Sequence, residues 1–157
     1  MRALVIIDMQ EDYVGESRNK KRFPYNADSL IEEINSRIAC YQNNNDKVIY
    51  VVNKSKSSPS PLIPKMTIAS DLIFEKDKAS CFSNDLLLAC LKCNSINEIE
   101  LAGVDGNSCV AISARDGIKF GFAVRLFLSC IGIANAERFS ETRKKLLEAN
   151  VTVIDSF

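Results

Sequence analysis

Short apolar runs recur along this chain, and a helical stretch separates most of them. RALVIID at residues 2–8, KVIYVVN at 47–53 and EIELAGV at 98–104 are rich in β-branched and aliphatic residues, with little polar alternation. Such a run is buried on both faces, as in the central strand of a parallel sheet. Between the first two, Leu30, Ile31, Ile34, Ile38 and Tyr41 recur at helical spacing. Asn26 or Asp28 can cap that helix, and the asparagines at 43–45 end it. A short third strand is expected at residues 71–74. A Leu-rich helix capped by Asn84 or Asp85 follows, running to about Cys93. After the fourth strand a helix opens at Cys109. A fifth strand is expected at 122–130, a helix at 137–149 with Phe139, Leu146 and Leu147 inward, and a sixth strand at 151–154. Residues 9–26 and 54–65 read as loops. Strand and helix alternate throughout, which predicts one three-layer α/β/α domain. Its six-stranded sheet is mostly parallel and its crossovers right-handed.

Composition removes several function classes. Lys+Arg and Asp+Glu balance at 20 each, so no global charge favours nucleic acid or an anionic membrane. No apolar run is long enough to cross a bilayer, and the N-terminus opens directly on a strand. A cytoplasmic protein is the expectation, with the six cysteines as reduced thiols. There is no histidine, which excludes Ser-His-Asp and Cys-His chemistry and nearly all His-based metal sites. No Gly-rich phosphate loop supports a flavodoxin-like nucleotide or cofactor binder, a reading otherwise open to an α/β pattern. No cofactor is expected.

Three chemically able residues stand at or just past strand ends. They are Asp8, Lys76 and Cys109. A parallel sheet brings such ends to one edge. Cys109 falls at a helix start, where free N–H groups and the helix dipole favour a thiolate. The set contains a nucleophile, a carboxylate that can shuttle a proton, and a cation that can hold both. The turn before Cys109 can point N–H groups at a tetrahedral oxyanion.

The motifs around these residues resemble the isochorismatase-like cysteine hydrolase superfamily, which includes nicotinamidases and N-carbamoyl amide hydrolases. ALVIIDMQEDYV is similar to its first strand, hydrophobics followed by Asp-x-Gln-x-Asp-aromatic. EKDKASCFSNDLLLACL is similar to its lysine segment, Lys-x-x-x-Ser-x-Phe, at Lys76, Ser80 and Phe82. AGVDGNSCVAISARDGIKFGF is similar to its nucleophile segment, with Ser113 in place of a Thr. The resemblance spans nearly the whole chain. It implies a Rossmann-like six-stranded sheet and an Asp8–Lys76–Cys109 triad. It also implies a cis peptide at Val104–Asp105 and an oxyanion hole from the N–H groups of Asp105 and Cys109. Homo-oligomers, dimers or tetramers, are common in the superfamily. The implied activity is hydrolysis of a C–N bond in a small amide or carbamoyl compound through a Cys109 thioester. The alternative is an inactive member serving as a binding or oligomeric interaction protein.

The departures are as informative. Nicotinamidases of this superfamily place a metal site, Asp-x-His, after the second strand. Asn53 and Ser55 stand there instead, so no metal is expected. True isochorismatases lack the cysteine, and Cys109 argues against vinyl-ether hydrolysis. Asp105 is an unusual acid beside an oxyanion pocket, and its side chain is expected to point away. Gln10, Tyr13 and Phe82 are candidate pocket residues, with Phe23 and Tyr25 as further aromatics able to stack on a flat substrate. The basic loop from Arg18 to Arg22 reads as a solvated surface or as a rim attracting an anionic substrate. Cys90 and Cys93 read as helix packing, and Cys81 as core filler or pocket lining.

Overall fold

The computed structural model describes residues 1–54 and 60–155. One all-parallel sheet holds β1 (Arg2–Ile7), β2 (Lys47–Asn53), β3 (Ile73–Lys76), β4 (Glu98–Val104), β5 (Ala123–Gly132) and β6 (Thr152–Ile154). Their order is β3-β2-β1-β4-β5-β6. The helices among the described residues are α1 (Glu11–Val14), α2 (Ala27–Asn43), α3 (Asp85–Cys93), α4 (Cys109–Lys119) and α5 (Ala136–Glu148), with a 3₁₀ turn at Cys81–Ser83.

The period of two along β1 builds both cores. Ala3, Val5 and Ile7 pack with Leu87, Leu91, Val110, Ala114 and Leu146, on the side of α3, α4 and α5. Leu4 and Ile6 face Leu30, Ile34, Ile38 and Tyr41 of α2 on the other side. Each such aliphatic side chain contributes about 1.5–3 kcal/mol when fully buried. Asn26, Asn84 and Asn135 cap α2, α3 and α5, each accepting a backbone N–H of the first turn.

The chain departs from its sequence reading in local ways. The first loop contains α1, because Gln10 pairs with Leu62 and the Glu11 N–H donates to the Pro61 carbonyl. β3 sits two residues later than its hydrophobics suggest. Its register is set by β2, with Asn53 opposite Lys76, so Lys76 ends the strand instead of following it. β5 runs on to Gly132 past an irregularity opposite the Leu101–Gly103 stretch of β4. Leu147 lies on the outer face of α5, half exposed, and Leu86 is exposed on α3. No helix of the described residues is long and apolar enough to cross a membrane.

β1 and β4 are neighbours, yet β1 leads on to β2 at one side and β4 to β5 at the other. Their C-terminal ends therefore open the crevice where doubly wound sheets hold ligands. Gly103 makes this close approach possible. Its φ is +108°, and a side chain there would run into the Ile7 carbonyl oxygen.

Candidate active site

Asp8 is the first residue past β1 and adopts φ +54°, an unusual angle for a non-glycine residue. Lys76 ends β3, two strands away, and its long side chain reaches back across the sheet edge. Its ammonium lies 3.0 Å from Asp8 Oδ2 and 3.4 Å from Cys109 Sγ, and it donates to the Lys78 carbonyl at 3.2 Å. Cys109 opens α4. The three predicted residues are thus gathered by the ends of β1 and β3 and the start of α4. The Lys76 and Asp8 side chains are almost sealed, at 1% and 5% exposed. Asp8 Oδ1 is buried and has no hydrogen-bond partner among the described residues.

Burial dominates the electrostatics. It pushes the Asp8 carboxyl above the ordinary carboxylate range, against the attraction of Lys76. It likewise pushes the Cys109 thiol up, and the Asp8 carboxylate adds to that while Lys76 opposes it. The Lys76 ammonium is nevertheless held above its usual value, because the attraction of Asp8 and Cys109 outweighs its desolvation. Desolvation and the adjacent Asp8 oppose the thiolate that Lys76 and the helix start favour.

The turn before Cys109 is closed by Asp105. Its Oδ1 accepts from the N–H groups of Asn107 and Ala134 at 3.1 Å each, so the carboxylate binds loop backbone. Its carbonyl accepts from Ser108 and Val110. The Val104–Asp105 peptide is cis. Among the described residues, no acceptor takes the N–H of Asp105 or of Cys109.

A cavity of about 400 Å³ opens above these groups. Its floor holds Asp8, Val104, Asp105 and Cys109, and Tyr13 and Phe23 form an aromatic wall, edge to face at 5.5 Å. Gln10 and Phe82 do not line it. The Gln10 carboxamide is buried between the Asn53 backbone and the Ser60 carbonyl, tying β1 to the segment after β2. Phe82 packs against Phe120 and Phe122 beneath α4. Cys81 is core, and Ser113 accepts its N–H. Tyr25 lies behind the wall, with its hydroxyl on the Tyr13 carbonyl. The residues that sequence reasoning missed are Asn107, Asn135 and Arg138. Arg138 stands on a charged amphipathic helix, where nothing in the sequence separates it from its solvated neighbours.

The chain matches the Isochorismatase domain model over residues 2–156. It belongs to the isochorismatase family. Its fold is similar to a Pyrococcus horikoshii pyrazinamidase in complex with zinc, at 20% identity, 99% of both chains and a TM-score of 0.77. It is also similar to a Thermoplasma acidophilum N-carbamoylsarcosine amidase, at 18% identity, 98% of this chain, 95% of that one and a TM-score of 0.81. A Staphylococcus aureus nicotinamidase matches at 19% identity, 98% of both chains and a TM-score of 0.83. At these identities the likeness is one of fold. No curated protein matches the sequence.

The donor set does not fit a zinc ion of the kind held by the Pyrococcus protein. The chain has no histidine. Asn53 is neutral, and its amide donates to the Tyr13 hydroxyl at 2.8 Å. Among the described residues, no three His, Cys, Asp or Glu side chains gather at metal-binding spacing. Ser55, the other departure in that loop, lies outside the described residues.

Proposed function

We propose that this isochorismatase-family chain is a cysteine hydrolase. It cleaves the C–N bond of a small amide or N-carbamoyl compound through a Cys109 thioester, and no step passes through a metal. One observation carries the reading. A single buried ammonium touches a carboxylate and a thiol at the floor of a cavity large enough for a small molecule.

The proposed chemistry uses Cys109 as nucleophile, Asp8 as proton shuttle and Lys76 as the fixed cation. Asp8 takes the Cys109 proton as Sγ attacks the carbonyl carbon, and its free Oδ1 is available for that hydrogen bond. Lys76 keeps its proton and offsets the charge on whichever neighbour is anionic. The oxyanion is held by the N–H groups of Asp105 and Cys109, and such a donor is typically worth ~10²–10³ in rate. The C–N bond breaks as Asp8 returns its proton to the leaving nitrogen. Water then attacks the thioester, giving a proton to Asp8. Sγ leaves and regains a proton from the same carboxyl.

The test is ammonia release over a panel of carboxamides, N-carbamoyl compounds and ureides. Wild type and Cys109→Ala are run side by side with chelator present. Turnover that survives chelation and vanishes in the variant supports the reading. Turnover retained in Cys109→Ala overturns it.

A further inference from the structure

Three exposed cations, Lys21, Arg22 and Arg138, line the cavity mouth, as do Asn107 and Asn135. Most other basic groups near the site are already committed. Lys76 is paired with Asp8 and Lys20 with Glu16. Arg18 spends its guanidinium on three carbonyls, those of Gly15, Phe23 and Tyr25. No carboxylate of the described residues pairs with Lys21, Arg22 or Arg138. The two acids in the cavity do not serve them either. Asp8 is held by Lys76, and Asp105 by loop N–H groups.

The placement of these cations is built. Arg18 staples the ends of its own loop together, and Asn19 Oδ1 accepts the N–H groups of Lys21 and Arg22 at 3.1 Å each. Phe23 then joins the cavity wall, with the Arg22 guanidinium 5.3 Å from its ring. Across the mouth, the Asn135 cap starts α5 and sets Arg138 in its first turn. The basic loop is thus divided in role. Arg18 holds the loop, and Lys21 and Arg22 face the site.

We infer that the substrate carries a carboxylate besides its scissile amide or carbamoyl group, bound at the mouth by Lys21, Arg22 and Arg138. This rests on the hydrolase reading above and narrows its substrate class. Two planar guanidinium forks suit a planar carboxylate, and the cavity of about 400 Å³ must also seat the reacting amide. Unpaired cations around a recess also raise the local concentration of an anion.

Two measurements separate this inference from the hydrolase reading. The first needs no turnover. Iodoacetate and iodoacetamide are close in size and differ in charge, and Cys93 is an exposed internal reference thiol. The iodoacetate-to-iodoacetamide rate ratio at Cys109 is expected to exceed that at Cys93 by about tenfold, the scale of one charge-assisted hydrogen bond. Arg138→Gln and the double variant Lys21→Gln/Arg22→Gln are each expected to bring the ratio towards the Cys93 value, as is 0.5 M salt. Equal ratios at the two thiols overturn the inference, as does failure of either reagent to label Cys109. The second measurement compares carboxylate-bearing amides with isosteres in which a methyl ketone or a phosphonate replaces the carboxylate. The carboxylate is expected to win by about tenfold in kcat/KM, with the preference lost in the same variants. A preference for the ketone or the phosphonate overturns it. A charge-selective Cys109 without amide turnover would sink the hydrolase reading and keep the anion-binding mouth.

Discussion

Two buried charge clusters stand on neighbouring central strands, one at the end of β1 and one on β4, and they are finished differently. Glu100, in the middle of β4, is fully buried and completely served. Arg37 donates to both of its carboxylate oxygens, and the Tyr41 hydroxyl and Arg125 Nε donate to Oε2. Burial and that carboxylate push the Tyr41 phenol up, so it stays a donor. Asp8, at the end of β1, is as deeply buried but meets one ammonium and leaves Oδ1 unused. A satisfied cluster fixes one arrangement of a core. A cluster with a vacant acceptor beside a thiol can take a proton, as the proposed hydrolysis requires.

The largest expected contrast comes from removing one member of each cluster. Cys109→Ala should lower turnover at least ~10⁴-fold, since the nucleophile disappears and no thioester can form. Its melting temperature should stay within a few degrees of wild type, because no ion pair is broken. Glu100→Ala should do the reverse. It removes the carboxylate that takes two bonds from the Arg37 guanidinium, and breaking a buried pair costs about 3–5 kcal/mol. Urea denaturation should read that loss, while kcat per folded molecule survives. If Cys109→Ala destabilised more than Glu100→Ala, the division between a working and a holding cluster would be wrong.

Next in size is a titration difference confined to the strand-end cluster. Asp8 must be ionised to take the thiol proton. Its carboxyl lies above the ordinary carboxylate range, so kcat/KM should fall as pH drops through that raised value. The thiol is pushed up by burial and by Asp8, and pulled down by Lys76. Asp8→Asn should therefore lower the midpoint of Cys109 alkylation, and Lys76→Met should raise it. The two shifts are expected in opposite directions. Matching shifts of one sign would mean that burial alone sets the thiol.

The two clusters also differ in how far the sequence announced them. The strand-end set was readable because topology does the gathering. Once the strands are parallel, Asp8 after RALVIID, Lys76 at the third strand and Cys109 beyond EIELAGV share an edge. Gln10 and Phe82 were misplaced for the same reason. Both flank a motif, but one carboxamide turned into the backbone and one ring turned into the core, and side-chain direction is a tertiary outcome. The Glu100 network left no trace in its own run, because a polar residue inside EIELAGV reads as an interruption until α2 supplies Arg37 and Tyr41. The basic loop could be read as a solvated surface or as a rim, and the sequence did not show that Lys21 and Arg22 line the cavity while Arg18 holds the loop. Their aim depends on Arg18 finding three carbonyls up to seven residues away.

The smallest expected effect compares two helix caps. Asn26 and Asn135 each accept a first-turn N–H, at 3.1 and 2.9 Å, and each cap should be worth about 1 kcal/mol on replacement by Ala. As stability losses the two variants should be indistinguishable by urea denaturation. They differ in what the helix carries. α2 presents a buried face to the sheet, and Asn26 lines no part of the cavity, so Asn26→Ala should leave KM unchanged. α5 presents Arg138 to the cavity mouth one turn from its cap, and the Asn135 N–H is also fixed by Asn107 Oδ1. Fraying that turn should loosen Arg138 and raise KM for a carboxylate-bearing amide several-fold, with kcat little changed. The scale is a fraction of the tenfold expected for Arg138→Gln. If Asn135→Ala raised KM equally for the charged amide and its methyl-ketone isostere, the cap would be shaping the pocket wall and not positioning a charge.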